Sequence, residues 1–291
     1  MEKVSVVILS RSSNEDEFNM TLNCIRSLVK SENTDKISFE VILVESNRNF
    51  KDSDFEYPDF VEVIVPQEEF NFHRFLNIGI KNSTGSFIAL CNNDIIFKKN
   101  WMTNILTIKN KYPEILSFCP VDYNFQYTPP EKFENIDQHY VLGYNVRTHI
   151  VGFCIVADRK LFDIIGPLDE RFDFYYADDD YSMTLRKHNI KHALVLNAEV
   201  RHLGGVVTNN KRDEGQKVYT SVSDEEVENL PEYLKQPGRR WLLKNKKMLE
   251  GHLIFHEKWG SLRSIAIKNK LFNFLSFFNQ DYLINRLYRI D

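Results

Sequence analysis

Short apolar runs alternate with amphipathic segments along the first 121 residues, and this alternation restricts the folds open to the chain. The runs are too short for helices and are rich in β-branched and aromatic side chains; they lie at residues 4–9, 39–44, 61–65, 87–91 and 115–121. The amphipathic segments repeat apolar residues at the spacing of one helix face; they lie at residues 18–30, 72–81 and 101–111. Strands that are apolar throughout are buried on both sides, so the pattern predicts an α/β fold: a mostly parallel sheet with helices on both faces.

A polar triplet follows the run at residues 87–91, where Asn92, Asn93 and Asp94 come before apolar residues resume. A carboxylate at the carboxyl end of a buried strand lies where open α/β sheets bind ligands. Mg²⁺ and Mn²⁺ prefer oxygen ligands and keep positions open for substrate oxygens, so Asp94 is a candidate cation ligand. The same residue types are common in turns, and taken alone the triplet favours a turn.

Length and composition indicate a folded protein of one large or two small domains, with 291 residues and 43% hydrophobic content. No apolar run approaches the length of a transmembrane helix, and the first run lacks the features of a signal peptide. Cys24, Cys91, Cys119 and Cys154 do not have the spacing of a metal site. We interpret them as buried reduced thiols, which predicts a cytoplasmic protein.

Charge is distributed unevenly, although the net charge is only −4. Residues 238–291 contain 11 basic and 4 acidic side chains, whereas the rest of the chain contains 26 basic and 37 acidic ones. A basic end indicates an anionic acceptor or peripheral contact with an anionic membrane, but solvated helix faces explain it equally well. We expect one domain at residues 1–205, followed at 206–291 by a flexible segment and a basic helical extension.

Five ordered motifs lie between residues 4 and 205. They read VSVVILSR; FEVILVESN; FNFHRFLNIGI followed by GSFIALCNND; GFCIVADRKLFDIIGPLDERF; and YYADDDYSMTLRKHNI followed by VRHLGG. Together with a weaker match at FHEKWG, residues 255–260, they resemble the family-2 nucleotide-sugar glycosyltransferases, particularly the rhamnosyltransferase-like branch. The resemblance implies the GT-A fold and a UDP- or dTDP-linked sugar as donor.

The resemblance also implies a metal and a catalytic base. Asp94 and His202 would hold Mn²⁺ or Mg²⁺ against the donor diphosphate. Asp178 is the first candidate for the general base and Asp179 the second, since repulsion within the cluster that Asp180 completes raises a carboxyl pKa. A single base opposite the leaving group predicts inversion at the anomeric carbon. Without the motif order, His202 is better explained as a packed or surface histidine, and capping explains some of the aspartates.

Further side chains are assigned to the donor nucleotide through the resemblance: Ser10, Arg11, Glu45, Arg74, Asn77 and Asn93. Ser10, Arg11 and Glu45 end the first two strands, whose loops face one crevice. For Arg74 and Asn77, an exposed helix face is an equally good explanation. The triplet Asn92-Asn93-Asp94 corresponds to the metal motif of the family, but it has one acid where the family has two. Asp94 would therefore supply most of the protein's negative charge to the cation.

Three functions remain open at this point. The first is a metal-dependent inverting glycosyltransferase acting on a polysaccharide or lipid-linked glycan. The second transfers the sugar to DNA or protein, with Trp241, Trp259 and the basic end contacting phosphates and bases. The third is a non-catalytic nucleotide-sugar-binding protein. A nucleotidyltransferase is disfavoured, because no glycine-rich phosphate loop follows the first strand.

Overall fold

The computed structural model describes residues 1–204, 220–278 and 280–288. Its sheet starts with four parallel strands in the order β3-β2-β1-β4: β1 (Glu2–Ser10), β2 (Ile37–Glu45), β3 (Val61–Ile64) and β4 (Phe87–Asn92). Every side chain from Val4 to Ser10 is buried, so β1 is covered on both faces. The register pairs Ser10 with Glu45 and Leu9 with Asn92, which brings the carboxyl ends of three strands to one edge.

The second half of the sheet is mixed in direction. It contains β5 (Ile95–Phe97), β6 (Ile115–Val121), β7 (Tyr140–Leu142), β8 (Cys154–Asp158) and β9 (Lys191–His202). Strand β8 lies between β4 and β6 and is antiparallel to both. Strand β9 runs parallel to β6, while β7 and β5 pair with it in the antiparallel direction. The predicted α/β sheet is therefore present, and each of its antiparallel pairs includes β5, β7 or β8.

Strand β9 is longer than the sequence predicts. The sequence patterns at residues 192–196 and 199–203 predict two short strands, but one strand of 12 residues covers this stretch. Asn197 breaks the apolar pattern between the two predicted strands, at a register shift of β9 against β6. Pairing with β7 before this point and with β5 after it keeps the backbone extended. The long strand carries His202 to the edge where β4 ends.

Five helices belong to this α/β body: α1 (Glu15–Val29), α2 (Phe72–Asn82), α3 (Trp101–Lys111), α4 (Lys160–Ile165) and α5 (Ala177–Lys187). Side-chain caps fix the starts of two of them, since Asn14 accepts from the amide of Glu17 and Asn71 from that of Arg74. Helix α2 approaches β1 closely. A β-carbon at Gly79 would lie 2.2 Å from Cγ1 of Val7, so glycine is required there.

The described part of the chain after residue 220 contains six further α-helices: α6 (Asp224–Glu228), α7 (Glu232–Lys235), α8 (Arg240–Leu243), α9 (Lys246–Trp259), α10 (Leu262–Phe277) and α11 (Asp281–Leu287). Apolar side chains from the last part of this region form a second core with the α/β body, in which Trp259, Phe272 and Tyr288 pack with Phe172 and Met183. Because Met183 belongs to α5, the extension is packed against the helix that carries the predicted catalytic aspartates.

Part of the predicted flexible segment, together with Gly205, lies outside the described residues. The described remainder of that segment includes α6, whose start has a capping box between Ser223 and Glu226. Among the helices that the structure describes, none is long and apolar enough to cross a membrane. Residues 122–148 contain two adjacent prolines and no clear apolar period, which predicts a long loop, and the structure places one short strand, β7, within them.

Candidate active site

Asp94 and His202 are brought together by the pairing of β5 with β9. Ile95 is the register partner of His202, which places Asp94 at the end of the same antiparallel pair. The backbone amide of Leu203 donates to the carbonyl of Asp94 at 2.9 Å. Oδ1 of Asp94 lies 3.2 Å from Nε2 of His202. The fold thus joins two residues that are 108 positions apart in the chain.

Two residues that the sequence analysis did not single out hold His202 in place. Oδ2 of Asp122, at the end of β6, accepts from the backbone amide of His202 at 2.8 Å. The ring of Phe153 stacks on the imidazole with centroids 4.6 Å apart and planes 15° apart. Asp122 follows an apolar strand just as Asp94 does, so its position was the signal that could have identified it.

The Asp94–His202 pair fits a divalent cation. Asp94 is only 9% exposed, and in the described part of the chain no donor makes a well-directed hydrogen bond to its Oδ1. A buried acceptor without a partner is costly unless another group completes it. Two donors each about 2.1 Å from one cation, in adjacent positions, are about 3 Å apart, close to the separation found here. Within the described residues no cluster of three or more ligating side chains occurs, so a cation would find two protein ligands.

Helix α5 presents the three adjacent aspartates in its first turn. The residue before it, Tyr176, has a positive φ of 65°, and this left-handed turn directs the chain abruptly into the helix. Helix N-termini carry partial positive charge, which favours acidic side chains at this position. The three side chains nevertheless have different surroundings.

Asp180 is engaged by the carboxyl end of α9. It is 3% exposed, and its carboxylate accepts from Nε1 of Trp259 at 2.7 Å and lies 2.8 Å from Nζ of Lys258. The same lysine also pairs with Asp169 at 2.8 Å. These contacts join α5 to α9 through Asp180, and they are made by the lysine and the tryptophan of the motif FHEKWG. Asp178 and Asp179, the two residues predicted as the general base, have other surroundings.

Asp178 and Asp179 line a cavity of about 300 Å³, and His202 lines the same cavity. The carboxylate of Asp178 lies against Gly152, where a β-carbon would be only 2.2 Å from Oδ1. Burial and then the neighbouring charge of Asp179 raise the pKa of Asp178 to about 7, against the opposing effect of Arg147. Burial also raises the pKa of Asp179, and Arg147 again opposes the shift.

Arg147 reaches the cavity from the long loop before β8. Its Nη1 donates to the hydroxyl of Tyr127 at 3.2 Å, and its guanidinium lies 5.3 Å from the centre of that ring. Its backbone has a positive φ of 71°. Loops as long as the one predicted at residues 122–148 are usually functional, but no pattern in the sequence singles out this arginine.

A second cavity of about 700 Å³ opens where β1 and β2 end. Its lining includes the predicted residues Ser10 and Arg11, and also Arg48 and Lys247, which the sequence analysis did not identify. Lys247 belongs to α9, so the carboxyl-terminal extension reaches this cavity as well.

Glu45 does not face this cavity. It is 0% exposed, and its carboxylate accepts from the hydroxyl of Ser10 at 2.9 Å and from the amides of Ser12 and Asn47 at 3.1 and 2.7 Å. These bonds satisfy the buried charge within the loops themselves. In this structure Glu45 therefore shapes the loops after β1 and β2 rather than presenting its carboxylate to a ligand.

Three other predicted donor residues are bonded elsewhere. Arg74 donates to Glu170 at 3.1 Å, and Asn77 bonds to the backbone of Leu168 in both directions at 2.9 Å. These contacts join α2 to the turn after α4. Nδ2 of Asn93 donates to Thr21 at 2.8 Å. None of the three predicted residues lines either cavity.

Comparisons with known proteins agree with this architecture. A model of the family described as glycosyl transferase family 2 matches residues 5–163, which is more than half of the chain. S. aureus TarS superposes with a TM-score of 0.51 at 14% identity over 67% of this chain and 35% of its own. GalNAc-T7, solved with UDP, GalNAc and Mn²⁺, superposes with a TM-score of 0.53 at 12% identity over 89% of this chain and 58% of its own.

The chain therefore spans about a third of the TarS chain and less than two thirds of the GalNAc-T7 chain. No curated protein sequence matches it. The structural likeness supports the GT-A fold, which agrees with the α/β sheet described above. On the family match, the chain belongs to glycosyl transferase family 2.

Proposed function

We propose that the protein is an inverting glycosyltransferase that moves a sugar from a nucleotide diphosphate sugar to a hydroxyl acceptor. The proposal rests on one cavity that is lined by both the proposed base and a residue of the proposed cation site. Asp178, whose pKa is raised to about 7, lines the same cavity as His202, whose Nε2 lies 3.2 Å from Asp94. A base and a cation site on one cavity are what a displacement of diphosphate by a hydroxyl requires.

Asp178 is the proposed general base. A base works best when its pKa lies near the working pH, because it is then both ionised and able to hold the proton it takes. The pKa of Asp178, about 7, meets this condition. Because Gly152 has no side chain, the carboxylate of Asp178 can lie directly against it at the cavity wall. Its Oδ atoms would accept the proton of the acceptor hydroxyl as that oxygen attacks the anomeric carbon. One direct displacement inverts the configuration at that carbon.

Asp94 and His202 are the proposed ligands of a divalent cation, Mn²⁺ or Mg²⁺. Their mixed oxygen and nitrogen donors suit Mn²⁺ better than Mg²⁺, which is usually bound by oxygen alone. When bound, the cation would offset negative charge that develops on the leaving diphosphate. Asp122 and Phe153 would keep the imidazole facing Asp94.

The donor nucleotide is proposed to occupy the 700 Å³ cavity at the ends of β1 and β2. Arg11, Arg48 and Lys247 supply positive charge there for phosphate groups. UDP or dTDP is the proposed carrier, and the UDP and Mn²⁺ bound in GalNAc-T7, a protein of similar fold, support this choice. The acceptor is proposed to be a polysaccharide or a lipid-linked glycan. All four cysteines are buried free thiols, which supports the cytoplasmic location expected from the sequence.

A panel of UDP-, dTDP- and GDP-sugars tests the proposal. The purified protein is incubated with each donor, Mn²⁺ and candidate acceptors, and released nucleotide is measured. We expect release with a UDP- or dTDP-sugar, and we expect NMR of the product to show an anomeric configuration opposite to that of the donor. Nucleotide binding without release from any donor would favour the non-catalytic alternative. Retention of configuration would contradict the role assigned to Asp178.

A further inference from the structure

Helix α10 carries an exposed apolar surface on the side facing away from the protein, which we call the outer face. Ile267, Leu271 and Phe274 follow one another at intervals of four and three residues, so they share one side of the helix, and the C-cap Phe278 follows Phe274 by four residues. Their exposed fractions are 51%, 45%, 63% and 53%, and the adjacent Phe277 is 81% exposed. A surface helix in water normally presents polar side chains on this side.

The opposite side of α10 is also apolar, but it is buried. Ile265 and Phe272 pack into the second core with Trp259 and Phe255. The rings on the outer face contact one another, with centroids of Phe274 and Phe278 5.0 Å apart. The folding of this chain therefore accounts for one apolar side of the helix and leaves the other exposed to solvent. Contiguous exposed apolar surface of this kind marks an interaction site.

Helix α11 extends the outer face. Tyr282 and Leu283 in its first turn are 72% and 43% exposed. The two helices are held together through Asn189, which accepts from Ser276 at 2.9 Å and donates to Asp281 at 2.5 Å. Asn189 lies just after α5, so the outer face is joined to the carboxyl end of the catalytic helix.

The charges on these two helices are almost all positive. Between residues 262 and 288 the basic side chains are Arg263, Lys268, Lys270 and Arg286, and the single acid is Asp281. That acid is already bonded to Asn189. Arg263, Lys270 and Arg286 are exposed. An apolar, aromatic strip with basic side chains around it complements a surface that is apolar inside and negatively charged at its boundary.

We propose that the outer face docks the protein on an anionic lipid bilayer. Ile267, Leu271 and the phenylalanines would enter the boundary between headgroups and acyl chains, while the basic side chains meet lipid phosphates. The inference goes beyond sugar transfer and does not depend on it. It does agree with a lipid-linked acceptor, because the docked helices are joined to α5.

Two other partners fit the outer face less well. In a symmetric dimer the same surface meets itself, which would bring the basic side chains of the two copies together without acids to pair them. Nucleic acid binding relies on stacking of bases on aromatic rings along a basic groove. The outer face is a convex helix side that includes the aliphatic residues Ile267 and Leu271, which offer no ring for stacking.

Vesicle flotation tests the proposal directly. The full-length protein is mixed with phosphatidylglycerol-containing vesicles or with neutral phosphatidylcholine vesicles, and the protein that rises with lipid is measured. We expect flotation with the anionic vesicles and little with the neutral ones. Phe274→Ser together with Phe277→Ser should lower the bound fraction at least about tenfold, because two inserted aromatic rings are lost. Arg263→Glu with Lys270→Glu should remove the preference for anionic lipid.

Matched controls separate this result from unfolding and from loss of catalysis. Phe60→Ser alters a phenylalanine that is 55% exposed but lies outside the two helices, and it should float like the wild type. Asp178→Asn should also float normally, even though we expect it to transfer sugar much more slowly. Circular dichroism and thermal unfolding confirm that each variant is folded.

Three results would overturn the proposal. The first is failure of the wild-type protein to float with anionic vesicles. The second is equal flotation of the wild-type protein and the folded Phe274→Ser, Phe277→Ser variant. The third is a wild-type dimer, or a complex with duplex DNA, that this variant loses while vesicles are not bound, since the outer face would then have a different partner.

Discussion

Asp178 and Asp180 are two positions apart, yet they have opposite environments. Asp180 is paired with Lys258 and Trp259, which makes it part of the scaffold. No described residue pairs with Asp178 in this way; burial and the charge of Asp179 raise its pKa to about 7. Perturbed carboxyl groups of this kind concentrate at functional sites. The environment, and not the residue type, distinguishes the proposed base from its neighbours.

Asp178→Asn should remove the base without changing the shape of the side chain. We expect kcat for sugar transfer to fall by about 10²–10⁴, the usual contribution of a positioned general base. The wild-type kcat should rise with pH through an apparent pKa near 7, as Asp178 loses its proton. Initial rates between pH 5 and 9 measure both effects. A variant with wild-type kcat would assign the base elsewhere, with Asp179 the first candidate.

The same substitution should stabilise the fold at high pH. The folded-state pKa of about 7 lies above the ordinary value of 3.8, so the fold favours the protonated carboxyl. That stability is present below about pH 4 and is lost as the pH rises through 7. The neutral amide of Asp178→Asn does not ionise, so the variant keeps this stability at high pH. Its free energy of unfolding should exceed that of the wild type by about 1–3 kcal/mol at pH 8 and by little at pH 4. Urea unfolding at both pH values measures the difference; equal stability at pH 8 would count against the raised pKa.

Gly152→Ala should disturb Asp178 directly. The added β-carbon would lie 2.2 Å from Oδ1 of Asp178, so the carboxylate or the loop must shift. A displacement near 1 Å at a reacting group costs about 10²-fold in rate, so we expect a loss of kcat of that order. Gly238→Ala is the matched control, because a β-carbon there would have no described residue within 4 Å. Steady-state kinetics on both variants test the difference; equal kcat values would show that Gly152 does not position the base.

The sequence indicates which side chains end strands better than it indicates which loop side chains contact them. Asp94 was selected because a buried strand leads into it, and His202 because of the motif order. The structure brings the two within 3.2 Å of each other, and their role as cation ligands stays a prediction. Glu45 also ends a strand, but its carboxylate turns inward to bond three loop groups, and no local pattern reveals that direction. Gly152 and Arg147 depend on contacts between distant segments, so their roles appear only in the folded protein.

At the scale of elements, helices and buried strands were predicted well because apolar periodicity reports them directly. Helix α3 and strand β6 have the predicted bounds. Strand β9 was divided in error, since a polar residue at position 197 resembles a strand end when its partners are unknown. Strand β9 continues past this residue because it pairs with β7 and β5, which are far from it in the chain. Sequence periodicity does not report such pairings.

Lys258 is predicted to position α5 through Asp180. Lys258→Met would leave a buried carboxylate without its cation, which costs about 3 kcal/mol of folding stability. It should also lower kcat, because Asp178 lies on the same turn as Asp180. The double variant with Asp180→Asn should regain much of both losses, since the unpaired charge is then removed. Urea unfolding and kinetics on the cycle measure the coupling; additive losses would contradict a shared role.

At the scale of the whole molecule, the carboxyl-terminal helices belong to the same packed structure as the α/β body. Trp259, Phe272 and Tyr288 share a core with Phe172 and Met183, and Lys247 of α9 lines the cavity at the ends of β1 and β2. The extension therefore contacts both α5, which carries the proposed base, and the proposed donor site. The sequence indicated its helices and its charge, but not this packing.

Phe272 and Phe274 allow this packing to be tested with neighbouring residues of one type. Phe272 is 2% exposed in the shared core, whereas Phe274 is 63% exposed on the outer face. Phe272→Ala should cost about 3–5 kcal/mol by leaving a cavity. Phe274→Ala should change stability by less than about 0.5 kcal/mol. Chemical denaturation of both variants tests this; a small effect of Phe272→Ala would mean that the extension contributes little to the folded structure.

The most direct test of the account compares Mn²⁺-dependent nucleotide release by the wild-type protein and by Asp94→Ala. Asp94 contributes the carboxylate of the proposed cation pair, and its Oδ1 has no well-directed hydrogen bond from any described residue. We expect the wild-type protein to release nucleotide when Mn²⁺ is present, and the variant, shown to be folded by circular dichroism, to release none above background. Release by Asp94→Ala at the wild-type rate would contradict the assignment of Asp94 and His202 to the cation.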